Sequence, residues 1–249
     1  MITRWKFGTA YFNGEPAKPG ATIPPAADIR SISVEDTVRD NEIRWVLVNR
    51  LFIADRCVLT GVSWDNLADS NVAVGYNGIS IDGLLYRIRL LKLGETDRAP
   101  NEWEEALKEA GDSDAVWHWR NQFFWGQETS AAGTGRVARG FTLPRNWNHW
   151  TPSSRAAYIG WRPALEPDTV HPEPELIGEK LLLRTNTGEA VAGRLADITD
   201  YDFLLEDAVR VQAGGSRKTP AVKRWPGKRA AVEKDALVMA QQYVLEKKS

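Results

Sequence analysis

Apolar and polar residues alternate most sharply around Asp82-Gly83. Ile79 and Ile81 precede the pair, and Tyr86, Ile88 and Leu90 follow it, interleaved with Arg87 and Arg89. A period of two reads as strand with one face covered, and Asp-Gly supplies the positive φ values of a two-residue turn, so residues 79–90 are expected to form a β-hairpin. Ile43–Ile53 and Cys57–Val62 are β-branched and apolar enough for further strands. The period changes at Pro100–Gly111, where Trp103, Ala106, Leu107 and Ala110 recur at helical spacing. Asn101 is a cap candidate with Glu104 three residues on, and Gly111 is the stop, so a short amphipathic helix is expected.

Elsewhere the periodicity breaks down. The first 30 residues carry Gly14, Pro16, Pro19, Gly20, Pro24 and Pro25 and read as an irregular arm. Asp114–Leu165 has no long periodic run and reads as loops held by side-chain packing. Glu166–Glu175 holds three prolines and four acids in ten residues, the composition of a stiff, solvated linker. Beyond it Leu181–Arg184, Ala190–Ile198, Phe203–Gln212 and Leu237–Leu245 read as strands, with the polar stretch Gly214–Lys234 between the last two. The expected plan is α+β: a ligand-binding domain over residues 1–166, a linker over 167–175 and a small β-barrel over 176–249.

Composition narrows the function classes. The chain has 249 residues, 43% hydrophobic and 26% charged, the make-up of a folded globular protein. Its 32 Lys and Arg nearly balance 33 Asp and Glu, so nucleic acid or an acidic partner would have to be held by a local patch. Cys57 is the single cysteine and cannot form an internal disulfide. It is expected to be a buried strand residue with no catalytic duty. The N-terminus lacks a signal-peptide stretch and no segment approaches the roughly 20 apolar residues of a membrane span, so cytoplasmic synthesis and no membrane partner are expected. Nine of the 11 tryptophans fall between Trp45 and Trp161, which predicts aromatic packing with many indole N–H groups to satisfy.

Arg136-Val137-Ala138-Arg139-Gly140-Phe141, then Arg145, Arg155 and Gly160-Trp161-Arg162-Pro163, resembles the C-terminal core of the C-type lectin fold in its formylglycine-generating-enzyme-like branch. That branch ends in an R-V-x-R-G-G-S-W … R … G-F-R pattern. Here Phe141-Thr142-Leu143 stands for G-S-W and Trp161 for the Phe. The Trp-rich approach, Val116–Arg120 through Phe124–Gln127, is also similar to this group, especially to proteins of phages and prophages. The resemblance covers about residues 40–166 and implies long loops pinned on a small twisted sheet and displaying a ligand-binding face. Arg139, Arg155 and Arg162 are expected as buried donors to loop carbonyls. The branch's oxidative chemistry needs a late cysteine pair that this chain lacks. A three-histidine iron site would demand His118, His149 and His171, the last in the linker. No catalytic residue, metal or cofactor is therefore expected.

In the smaller domain Gly193–Leu205 is similar to the first signature of Sm-like and Hfq-like barrels, with Thr199 where the Asp usually falls. Such barrels close into rings, which would make the chain a homo-oligomer through this domain. Arg217–Arg229 carries six basic residues, no acid and Trp225.

The function expected is noncatalytic recognition of a protein or glycan partner, in a phage or prophage setting and as part of a virion. The expected ligand residues are Asn146, Trp147, Asn148, His149, Trp150, Ser153, Ser154 and Tyr158, which join aromatic surface to short hydrogen-bonding groups. One alternative is a nucleic-acid-binding regulator that makes weak, salt-sensitive contacts through Arg217, Lys218, Lys223, Arg224, Trp225, Lys228 and Arg229. Another is a variable protein of a diversity-generating retroelement, whose fold ends in a similar Trp/Asn/Ser/Arg-rich run. A third is an enzyme whose chemistry the motifs do not reveal.

Overall fold

The computed structural model describes residues 3–214 and 220–244. Strand accounts for 49% of the structure and helix for 11%, in three sheets, so the α+β expectation is corrected to all-β. The helices α1 (Trp64–Asp69), α2 (Glu102–Ala110) and α3 (Asp114–Trp117) are too short to form a layer. Of these, α2 follows its sequence signals: Asn101 Oδ1 accepts from Glu104 N at 2.9 Å, Gly111 (φ 73°) ends the helix, and Trp103, Ala106, Leu107 and Ala110 are its buried face.

The chain divides into two compact units. The larger comprises Lys6–Asp82 and Tyr86–Glu166, the smaller Met1–Trp5, Gly83–Leu85 and Pro167–Ser249. The supposed N-terminal arm holds four strands: β1 (Arg4–Phe12), with β2 (Glu15–Ala17) and β4 (Ile32–Glu35) both antiparallel to it, and β3 (Ala21–Thr22), which joins the second sheet. Asn13 (φ 53°) and Gly14 (φ 86°) make the tight turn between β1 and β2, and Pro16 is tolerated because β2 is the outermost strand of its sheet. Ile43–Ile53, read as one strand, is instead a hairpin of β5 (Glu42–Val48) and β6 (Leu51–Ala54), because Asn49 and Arg50 both adopt positive φ. Cys57 is fully buried but lies between β6 and the two-residue β7 (Leu59–Thr60), outside any strand.

The hairpin at Asp82-Gly83 joins β8 (Val74–Ile81) to β9 (Leu84–Leu90). Residues 114–165, expected to be loops, hold β10 (Phe123–Thr129), β11 (Arg136–Gly140), β12 (Trp147–Trp150), β13 (Ile159–Trp161) and the start of β14 (Pro163–Pro167). One sheet runs β2-β1-β5-β6-β14-β9-β8, with β4 also on β1, and a second runs β12-β11-β10-β13-β7-β3. In β10 Phe123, Phe124 and Trp125 are all buried, so both of its faces are covered and no alternation marks it in sequence.

The smaller unit is an antiparallel sheet in the order β18-β19-β17-β16-β15-β20. Its strands are β15 (Lys180–Thr185), β16 (Ala190–Ile198), β17 (Asp202–Gln212), β18 (Val222–Trp225), β19 (Arg229–Glu233) and β20 (Leu237–Gln242). With β18 and β20 as its two edges the sheet is a half-barrel, where a small β-barrel was expected. Leu181, Leu183, Val191, Leu195, Phe203, Leu205 and Val232 fill its core. Within this unit Asp168 N donates to Leu85 O and Val170 bridges to Ala240, so part of the segment read as linker is hydrogen-bonded to its strands.

Candidate functional site

The segment that carries the expected ligand residues is fastened from below by arginines. Arg139, on β11, is 1% exposed and donates to the carbonyls of Leu93, Asp97 and Arg145, each at 3.0 Å. Arg155 donates to Gly61, Ala27 and Pro24 at 2.9–3.0 Å. Arg162 is fully buried and donates to Ala54 and Trp117. All three donate to main-chain carbonyls, as expected; Arg155 is half-buried rather than buried, and the acceptors of Arg162 lie on β6 and α3 instead of loops. A guanidinium suits this work because its planar fork directs several N–H groups at separate acceptors. Burial draws the Arg162 pKa down to about 10, yet it keeps its charge at neutral pH.

On this support β12 is the edge strand of its sheet, paired only with β11: Arg139 lies opposite Trp147, Ala138 opposite Asn148, Val137 opposite His149 and Arg136 opposite Trp150. Strand geometry therefore divides the expected ligand residues. Trp147 and His149 share one face, their rings 5.4 Å apart, and Trp147 Nε1 donates to Gly94 O. Asn148 and Trp150 share the other. His149 N donates to the side chain of Asn148 at 2.7 Å. His149 Nδ1 and Trp150 Nε1 have no hydrogen-bond partner among the described residues.

Trp150 belongs to a group of four rings that the sequence reading only partly anticipated. Phe123 and Trp150 meet edge-on at 5.7 Å, Phe123 and Phe141 stack at 5.1 Å with planes 1° apart, and Tyr158 contacts both Phe141 and Trp150 at 5.8 Å. Phe123 is buried, Phe141 and Trp150 are half-buried and Tyr158 is exposed. Phe141 has φ 82°, a left-handed conformation that costs an L-residue roughly 1–2 kcal/mol. Its N–H donates to Trp119 O and Gln122 O, and its carbonyl accepts from Asn121 N, so the backbone is fixed there whatever the side chain. Phe141 was not among the expected ligand residues. The available signal was its place in the R-G-G pattern, where a residue free to take positive φ gives way to an aromatic one.

The polar members of the segment make only local side-chain bonds. Asn146 Nδ2 donates to Thr142 Oγ1 at 3.3 Å, and the hydroxyls of Thr151 and Ser154 share a hydrogen bond at 2.7 Å. Ser153 is exposed, while Asn146, Asn148 and Ser154 are half-buried. Of the charges near the segment, Arg120, exposed and bridged to Phe141, lies over the Trp119 ring at 5.7 Å, and two others are committed elsewhere. Arg145 pairs with Glu104 and Asp112, and the Arg136 guanidinium lies 3.5 Å from the centre of the Trp64 ring and donates to Gln127 O.

The alternative nucleic-acid residues fall on the β18–β19 hairpin, which replaces the expected loop. Lys223, Arg224, Trp225, Lys228 and Arg229 are all exposed, whereas Arg217 and Lys218 lie outside the described residues. Trp225 is directly opposite Arg229, and Lys223 shares their face but pairs with Glu233 at 3.7 Å.

A separate, partly buried charged group lies beside Cys57 in the chain. Asp55, 1% exposed, accepts from Arg56 Nε, and Arg56 Nη2 donates to His118 Nε2 at 2.7 Å. Burial, and then the charge of Arg56, hold the His118 pKa below its usual value. Burial also pushes the Cys57 thiol up to about 11, with Arg162 pulling partly back. The folded chain should accordingly resist thiol labelling at pH 8 and react fully once unfolded in urea; rapid stoichiometric labelling of the native protein would show that the thiol is accessible. Among the described residues no three His, Cys, Asp or Glu side chains gather as a metal site, and no helix is long and apolar enough to cross a membrane.

Comparison with protein-family models, with curated proteins and with solved structures gives no match.

Proposed function

We propose that this chain is a noncatalytic recognition protein, of phage or prophage origin and carried on a virion, that binds a protein or glycan partner through residues 141–158. The observation that carries the reading is the group of partly exposed rings, Phe141, Trp150 and Tyr158, two of them set against buried Phe123, in a segment whose other members include short uncharged polar side chains. Aromatic surface contributes contact area at little conformational cost, and small hydroxyl and amide groups adapt to a partner's hydrogen bonds. Arg139 and Arg155 hold the segment rigidly enough that such contacts are pre-organised. The setting rests on the resemblance of the Trp-rich run Val116–Arg120 through Phe124–Gln127 to proteins of phages and prophages.

The second reading, a nucleic-acid contact at the β18–β19 hairpin, draws on Trp225, 49% exposed beside Lys223 and Arg229. Two variants separate the readings when the chain is assayed against immobilised glycans, proteins and nucleic acids. Asn148→Arg with Ser153→Arg places bulky charge on the aromatic face, and Lys223, Arg224, Lys228 and Arg229→Gln neutralises the hairpin. The first is expected to weaken partner binding by about tenfold or more, while the second leaves it unchanged. Binding that is confined to nucleic acid, falls steeply with salt and disappears only in the second variant would refute the proposal.

A further inference from the structure

We propose that Phe141 is the specificity-determining residue of the 141–158 face and that the ligand it reads is a neutral saccharide, an inference that rests on the recognition reading above. Eleven non-glycine residues among those described have positive φ, and Phe141 is the one Phe, Tyr or Trp among them, with the largest angle. Asn and Asp make up much of that group because a short polar side chain tolerates the left-handed region. At Phe141 the backbone bonds to Trp119, Asn121 and Gln122 would be made equally well by glycine, without strain. What glycine would not supply is the ring. Strain kept at a position where the backbone does not require that side chain is a mark of function when the side chain faces a candidate site.

The ring's placement says what it could read. One face of Phe141 lies flat on Phe123, and the half-buried ring meets Tyr158 at 63°, while Trp150 stands against Phe123 and Tyr158. A flat aromatic face between angled rings matches the C–H-bearing face of a pyranose, whose hydroxyls then extend sideways toward hydrogen-bonding groups. Thr142 is adjacent to the ring in sequence, Asn148 shares the face of Trp150, and Thr151, Ser153 and Ser154 follow that tryptophan directly. All of these are neutral. The cations of the segment itself, Arg145 and Arg155, are taken up by carboxylates and by main-chain carbonyls, and Arg120, exposed and bridged to Phe141, lays its guanidinium over the Trp119 ring at 5.7 Å, so the residues beside the ring that are free to bond a sugar are mostly neutral.

The test uses the full chain on an array of short neutral oligomers of glucose, mannose, galactose and N-acetylglucosamine, with sialylated and sulfated counterparts and purified proteins alongside. The parent is expected to bind at least one neutral oligomer with little dependence on salt. Phe141→Gly should weaken that binding by about tenfold or more while the melting temperature stays within about 4 °C, because strain is released as ring contacts are lost. Phe141→Tyr should keep affinity within about threefold. Tyr158→Ala, which removes an exposed ring and leaves the backbone of residue 141 alone, should weaken binding in the same direction and decides the matter if Phe141→Gly does not fold. Absence of any neutral-saccharide binding, preference for the anionic counterparts, or parental affinity in Phe141→Gly or Tyr158→Ala would overturn the inference. A purified protein bound through the same face, with no saccharide bound, overturns it too but leaves the recognition function standing.

Discussion

Replacing Arg139 with alanine is expected to destabilise the protein by about 3–5 kcal/mol, the range for removing one partner from a buried charged network. Three carbonyls, those of Leu93, Asp97 and Arg145, lose their donor together, and Glu104 loses a cation at 3.5 Å. Leaving such groups under protein without partners is costly because water reaches them poorly. Against a total stability of about 5–15 kcal/mol for a domain, the loss should show as a large fall in the urea midpoint. Arg139→Lys keeps the charge but replaces the fork with a single ammonium that cannot span three acceptors, so it should recover only part of the difference. A midpoint for Arg139→Ala within about 1 kcal/mol of the parent would mean that the loop carbonyls find other donors.

Trp103→Ala should be as damaging, about 3–5 kcal/mol, for a different reason. Trp103 is fully buried on α2, meets Trp117 at 4.9 Å and Phe124 at 4.8 Å, and lies under the Arg162 guanidinium at 5.1 Å. Its removal opens a cavity among rings that cannot collapse together. Trp103→Phe refills most of that volume but strands the carbonyl of Pro144, which accepts from the indole N–H at 2.7 Å, and should cost about 1–3 kcal/mol. Because Pro144 belongs to the 141–158 segment, the phenylalanine variant should also speed amide hydrogen exchange around Thr142–Asn146 relative to the rest of the chain. Equal exchange in the two proteins would show that this anchor does not control the segment.

What could be read in the sequence follows the length and regularity of each element. The Asp82-Gly83 hairpin, α2 with its Asn101 cap, and β16, whose bounds are those of the expected Ala190–Ile198, carry several residues of clean pattern and a turn or cap with its own chemistry. β7, β12 and β13 span only two to four residues, too few for a period to show. β10 is apolar on both faces, and at β5–β6 the turn is Asn49-Arg50, where arginine is not an expected left-handed residue. The Asn13-Gly14 turn was legible but was outweighed by the prolines around it. In the candidate site, residue chemistry singles out a segment, but face assignment needs the strand: Trp147 and Trp150 look equivalent in sequence and point opposite ways. The role of Phe141 was hidden because dihedral strain leaves no trace in composition.

The hydrogen bonds of Arg139 and Arg155 all end on main-chain carbonyls, and every amino acid carries a carbonyl. The scaffold therefore grips the segment without consulting the side chains at Thr142, Asn146, Asn148, Thr151, Ser153 or Ser154. Substitutions at those positions alter what the surface offers to the outside while the clamps beneath stay as they are. A lineage that must follow a changing target could then explore new surfaces one residue at a time, with few of its steps lost to misfolding.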